Sequence, residues 1–203
     1  MTRVRQHVNP LRNTFLERDV AALELPAGPV EVELGCADAR FLFERAPHVP
    51  ETLLVGLEIR EPLVDQVNRM AAELGLGNLR AHFANINVDL GRLFADERLT
   101  RVFVNFPDPW FKRKHKKRRL MTPELVETLH RKIAPGGELF FQSDVWDLAL
   151  DALAVIEDAP ALFRNLLGPW SFTRENPFGV QSLREVRCEA RGERIWRMRY
   201  VRV

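Results

Sequence analysis

Short apolar runs alternate with amphipathic stretches along most of this chain, and that alternation limits the fold more than any other feature. Val30–Leu34, Leu53–Ile59, Leu79–Phe83, Arg101–Phe106 and Glu138–Gln142 read as strands. Helical spacing follows each in turn. Phe41, Leu42 and Ala46 come behind Asp38, a residue suited to capping a helix. Leu63, Val67, Met70, Ala71 and Leu74 mark a second helix, with Pro62 in its first turn and Gly75 and Gly77 beyond its end. Val88–Phe94 is a short third helix, Thr122-Pro123 opens a fourth that runs to about Ala134, and Pro135-Gly136-Gly137 ends it. Val145–Ala159 is a fifth. Largely apolar strands alternating with helices imply a parallel sheet covered on both faces.

The ends depart from this pattern. Trp170–Thr173 and Ile195–Val201 look like strands with no helix between them, which predicts an antiparallel pair at the sheet edge and seven strands in all. The first 24 residues are expected to add a helix from about Pro10. A chain of 203 residues, 46% of them hydrophobic, can bury one sizeable core. One domain over residues 1–203 is the expectation, with an extension over 1–25, a core over 30–160 and terminal strands over 165–203. Cys36 and Cys188 lack metal-ligand spacing and the five histidines are scattered, so a reducing, cytoplasmic setting without structural zinc is expected. Met1–Val8 has no apolar targeting core, and no run of about 18 apolar residues suggests a membrane span.

In an open α/β sheet, ligands sit beyond the carboxyl ends of the strands. Three polar positions fall there. Glu33-Leu34-Gly35 ends the first strand, Glu58 ends the second, where a carboxylate can take both hydroxyls of a ribose, and Asn85 follows the third, where it could read an adenine edge. A dinucleotide fingerprint counted from Gly35 would want glycines where Ala37 and Arg40 stand. Glu33 beside a diphosphate would also be repulsive, whereas it suits the ammonium group of S-adenosylmethionine. A methyl donor is therefore preferred to a nicotinamide.

The charge distribution points to a polyanion. Lys112–Arg119 holds seven of the 30 basic residues, so the rest of the chain carries 23 against 28 acidic ones. A second basic bias lies in Ser182–Val203, with seven Arg against three Glu. Directly before the run stands Asn105-Phe106-Pro107-Asp108-Pro109-Trp110, which sets one acid and one aromatic at the edge of a cationic loop. Trp110 is either a base-stacking platform or packing that stiffens the loop. Cys36 reads as small filler rather than a nucleophile.

With that hexapeptide, the basic run and Leu120, the chain resembles the bacterial tRNA (guanine-N7-)-methyltransferases from about Val30 to Val203. The resemblance implies a class I, Rossmann-like fold, S-adenosylmethionine as methyl donor, S-adenosylhomocysteine as product, no metal, and tRNA as the partner, methylated at guanine 46 of the variable loop. No membrane and no obligate protein partner are expected. Carried over by position, it gives cofactor contacts at Glu33, Gly35, Glu58, Asn85 and Asp108, substrate contacts at Lys112, Asp144, Ser182, Leu183, Arg184 and Glu185, and Asp108 as the active-site residue. The chain departs from the family at Ala37 and Ala39, where glycines are usual, at Asn85, usually Asp, and at Arg184, usually aromatic.

Guanine N7 already carries a free lone pair, so its methylation needs positioning rather than a general base. Asp108 would stabilise the positive purine as it forms. Rival readings are a methyltransferase for exocyclic amines, a non-catalytic RNA-binding subunit and a nicotinamide oxidoreductase. The first lacks its usual motif, because Asn105-Phe106-Pro107-Asp108 has no proline in second place and no aromatic in fourth.

Overall fold

The computed structural model describes residues 8–11 and 19–203. The strands are β1 (Val30–Leu34), β2 (Leu53–Glu58), β3 (Leu79–Phe83), β4 (Leu99–Asn105), β5 (Ile133–Ser143), β6 (Phe163–Asn165) and β7 (Trp196–Arg202). They form one sheet in the order β3-β2-β1-β4-β5-β7-β6. The first five strands run parallel, and β7 pairs antiparallel with both β5 and β6. The sheet reverses its winding at β1 and β4, which opens a crevice at their carboxyl ends.

The helices are α1 (Arg40–Arg45), α2 (Glu61–Glu73), α3 (Ile86–Leu93), α4 (Pro123–Lys132), α5 (Trp146–Glu157) and α6 (Leu183–Ala190). Every residue of β1 and β2 is buried, as two covered faces require. Val32, Leu34, Val104 and Phe141 face a core shared with α3, α4 and α5, whereas Phe103 and Phe140 pack with Phe41, Leu42 and Val67 of α1 and α2. Gly56 in β2 permits the second packing, because a Cβ there would lie 2.5 Å from Cys36 Sγ. No helix of the described residues is long and apolar enough to cross a membrane.

Several local expectations need correcting. The edge strand is Phe163–Asn165, not Trp170–Thr173; only Thr173 bridges to Arg197. A helix, α6, does lie before β7, and its start carries a capping box that the sequence spells as Ser182-x-x-Glu185. Pro135-Gly136-Gly137 does not follow a helix end directly: α4 stops at Lys132 and the three residues lie inside β5. Register slips there between Leu99 and Arg101, and Gly137 comes close to the Thr100 carbonyl, so the pair of glycines accommodates an irregularity in the ladder. Asp38 does not cap α1; Ala39 holds the cap position in a left-handed conformation. On α2 the buried face is Val64, Val67 and Ala71, while Met70 and Leu74 are exposed. The expected amino-terminal helix falls largely on residues 12–18, outside those described, and residues 19–24 are irregular.

Candidate active site

A cavity of about 900 Å³ occupies the crevice, and it gathers residues from every region singled out in the sequence. Glu33, Gly35, Glu58, Asn85 and Asp108 line it, as do Lys112, Asp144, Ser182, Leu183 and Arg184. Glu185 does not. It is fully buried, where it accepts from Arg197 Nη2 at 2.7 Å, Asn176 Nδ2 at 2.8 Å and Gln142 Nε2 at 3.1 Å. It also completes the capping box with Ser182. Its place is to hold the start of α6 against the sheet.

The two acids of β1 have opposite surroundings although they share a sheet face. Glu31 is bridged by Arg45 and Arg101, the latter at 2.6 Å. Glu33 accepts one hydrogen bond, from Asn105 Nδ2 at 2.8 Å, and its Oε2 is buried with no partner among the described residues. Burial, opposed by the Asn105 bond and reinforced by Asp38 and Glu58, pushes its carboxyl up to about 8. A buried acceptor aimed at a cavity without a donor costs free energy unless a ligand supplies one.

Asn85 repeats this arrangement on the other side of the crevice. Its Nδ2 donates to the Pro10 carbonyl at 2.9 Å, which fixes the amide orientation, and its buried Oδ1 has no partner among the described residues. An adenine amino group would satisfy that oxygen. Between the two acceptors the strand-to-helix turn bends at Gly35, whose φ of 78° favours glycine and whose missing Cβ would meet nothing within 4 Å. Ala37 and Ala39 continue the turn at φ 52° and 54°, a strained conformation for alanine. Ala37 uses it to aim its N–H at Glu58 Oε2, 3.0 Å away.

Asp108 lies between Pro107 and Pro109, in a segment whose flanks Phe106 and Trp110 both have positive φ (50° and 45°). Phe106 N–H is tied to the Gln142 carbonyl at 2.8 Å, which anchors the segment on β5. Trp110 is enclosed by its own loop: His115 meets it edge-on at 5.8 Å and the Arg118 guanidinium lies 5.0 Å from the ring centroid. Desolvation, and then the neighbouring cations, hold His115 below its ordinary range. Trp110 thus packs within its loop and also lines the cavity. The exposed ring at the mouth is Phe111, 74% accessible and lining the cavity.

The basic run is not uniformly available. Residues Arg113–Arg118 form a 3₁₀ turn. Arg119 is buried; it donates to the Pro109 carbonyl at 3.0 Å and pairs with Asp151 of α5, which Lys116 also approaches at 3.6 Å. Lys112, Lys114 and Lys117 are exposed. The second basic region is largely neutralised internally. Arg197 pairs with Glu185 and Glu189, Arg199 with Glu138, Arg202 with Glu97, and Arg191 with Glu193. Arg184 pairs with Asp144, so each of these two candidate substrate residues is engaged by the other.

Sequence reasoning passed over four residues. Asn105 and Gln142 join the two halves of the site, because Gln142 Nε2 donates both to Asn105 Oδ1 at 2.9 Å and to Glu185. Arg60 and Phe111 line the cavity. Gln142 and Arg60 sit in no motif, Asn105 opens the hexapeptide without a role being assigned to it there, and Phe111, between the hexapeptide and the basic run, has no periodicity to mark it. One set of metal-ligating types occurs among the described residues, Asp144, Cys188 and Glu193, with ligand atoms within 4.8 Å of one another. Asp144 is already paired with Arg184 there, and burial followed by a bond to Glu193 pushes the Cys188 thiol up to about 11, which disfavours a thiolate ligand.

Comparison with known proteins bears on the family and the fold. A family model described as "Putative methyltransferase" matches residues 27–198. A tRNA (guanine-N(7)-)-methyltransferase of Synechococcus sp. (strain JA-3-3Ab) is 39% identical, covering 96% of this chain and 84% of the relative. The enzyme of the same name from Synechocystis sp. (strain ATCC 27184 / PCC 6803 / Kazusa) is 40% identical over 92% of this chain and 90% of its own. Among solved structures, 16S rRNA methyltransferase KamB superposes with a TM-score of 0.61 at 15% identity, over 86% of this chain and 88% of that one. A SAM dependent methyltransferase from Aquifex aeolicus gives 0.60 at 13% identity, over 86% and 82%. At these identities the structural likeness speaks for the fold alone.

Proposed function

Because the chain belongs to the tRNA (guanine-N(7)-)-methyltransferase family, we propose that it methylates N7 of a guanine in tRNA, with guanine 46 of the variable loop as the target. The observation that carries this reading is the pair of buried acceptors without a partner among the described residues, Glu33 Oε2 and Asn85 Oδ1, facing one cavity that the exposed Lys112 also lines. Those acceptors fit S-adenosylmethionine: Glu33 matches its ammonium group and Asn85 the adenine amino group, while Glu58, held by Ala37 and Arg60, is placed for the ribose hydroxyls. When bound, the cofactor supplies an electrophilic methyl group on a sulfonium.

The chain's own residues do the rest. Lys112, Lys114 and Lys117 hold phosphates, and Phe111 offers its ring to a base. The Pro107-Asp108-Pro109 segment presents a carboxylate to the purine, where it accepts from the base's N–H edge and offsets positive charge as N7 is alkylated. No proton leaves N7, so Asp108 orients and stabilises without abstracting one. Ser182, Leu183 and the Asp144–Arg184 pair line the same mouth as the substrate segment. The reaction has its test in unmodified tRNA transcript, labelled methyl donor and chemical scission at N7-methylguanine. Cleavage in the variable loop is expected, and label at an exocyclic amine or no scission would overturn the reading.

A further inference from the structure

We infer that Arg60 occupies on Glu58 the positions that the cofactor's ribose hydroxyls need, and so sets the affinity of the site for its cofactor. The inference rests on the assignment of Glu58 to the ribose in the proposed function.

An ionised carboxylate offers about four acceptor positions, and four donors reach Glu58. Ala37 N–H (3.0 Å) and Arg60 Nη2 (2.8 Å) meet Oε2; Arg60 N–H (2.9 Å) and Arg60 Nε (2.8 Å) meet Oε1. The carboxylate side chain is 3% exposed, which leaves a ribose no spare face. Two of the four donors are backbone groups fixed by the strand ends. The other two belong to one guanidinium, on a side chain that is 19% exposed and lines the cavity. An incoming ribose can therefore bond Glu58 only by displacing the guanidinium. Neutral hydroxyls replace a two-pronged ion pair in that exchange, so the cofactor binds more weakly than an unobstructed Glu58 would allow. The released guanidinium stays within the field of Asp108, which already favours its charge.

The test is calorimetric titration of the full chain at pH 8 with S-adenosylhomocysteine, which has no sulfonium and does not react. Arg60→Met is expected to bind about tenfold tighter than wild type, the size of a lost charge-assisted bond. Arg60→Lys keeps the charge without the two-pronged geometry and should gain a smaller factor; it also carries the test if Arg60→Met shows no cooperative melt. With a 2′,3′-dideoxyribose analogue the gain should vanish, since no exchange is then needed, whereas a general loosening of the pocket would help both ligands alike. Unchanged or weaker binding by both Arg60 variants would overturn the inference. Unchanged binding by Glu58→Gln would instead overturn the ribose assignment beneath it.

Discussion

Asn105 Nδ2 donates to Oε1 of Glu33 at 2.8 Å and leaves Oε2 buried and bare, while two residues earlier on β1 Glu31 is bridged by two arginines. One strand thus carries a satisfied acid that knits the sheet to its neighbours and an unsatisfied one that lines the cavity. Glu33 is poised by that shortage. Its Asn105 partner is held in turn by Gln142, so the polarity of the pocket floor is continuous with the network that seats α6.

Glu33 titrates in the folded protein at about 8 against an ordinary 4.5, so between those values the folded state holds a proton that the unfolded state has lost. Stability should therefore fall as pH rises through this window, reach its full deficit above pH 8, and show no Glu33 contribution below pH 4.5. Thermal melts at pH 5 and pH 9 check it: Glu33→Gln should flatten the difference and melt higher than wild type at pH 9. Affinity for an ammonium-bearing cofactor should rise with pH toward 8 in wild type and lose that dependence in the variant.

Asp108→Asn retains size and hydrogen-bonding ability but removes the charge. Single-turnover methylation should drop about 100-fold, within the range for one preorganised electrostatic partner. A rate equal to wild type would remove Asp108 from the chemistry.

Exposed and buried members of the basic run should separate in a salt titration of tRNA binding. Lys112→Ala and Lys117→Ala should each reduce the slope of log affinity against log salt by about 0.7 to 0.9, one phosphate apiece. Arg119→Ala should leave the slope closer to wild type and lower the melting temperature, because Arg119 ties the loop to Pro109 and to Asp151 of α5.

Phe111 and Trp110 should also part company. Removing a base-stacking ring costs about 1–3 kcal/mol, so Phe111→Ala should raise the KM for tRNA at least fivefold with cofactor affinity unchanged, and Phe111→Trp should restore it. Trp110→Phe keeps a ring between His115 and Arg118. Its KM should change less than that of Phe111→Ala.

Ala37 sits at φ 52°, where alanine is strained and glycine is not. Ala37→Gly should raise stability by up to about 1 kcal/mol, the relief being partly offset by greater unfolded-chain freedom. A lower melting temperature would mean that the methyl group packs to a degree its partial exposure does not suggest.

The sequence by itself located the parallel strands, because short runs rich in apolar residues alternate with stretches of helical spacing: β1 and β3 lie where their patterns predict, and β2 and β4 differ only at their ends. It also placed Glu33, Glu58, Asn85 and Asp108 at strand ends around one crevice, since parallel topology brings carboxyl ends together whatever the details. The edge escaped it. The three residues of β6 are too few for a period, and the capping box at Ser182 lies between two expected strands where no helix is expected. Only the tertiary structure decided which charges are free. Arginines at positions 119, 197, 199 and 202 look alike in sequence to the exposed lysines, yet each meets a carboxylate 32, 12, 61 or 105 residues away. Such pairings depend on how the elements pack, and no local pattern records them. The same holds for Arg60 against Glu58, close in sequence but consequential only because the sheet buries the acid that the side chain covers.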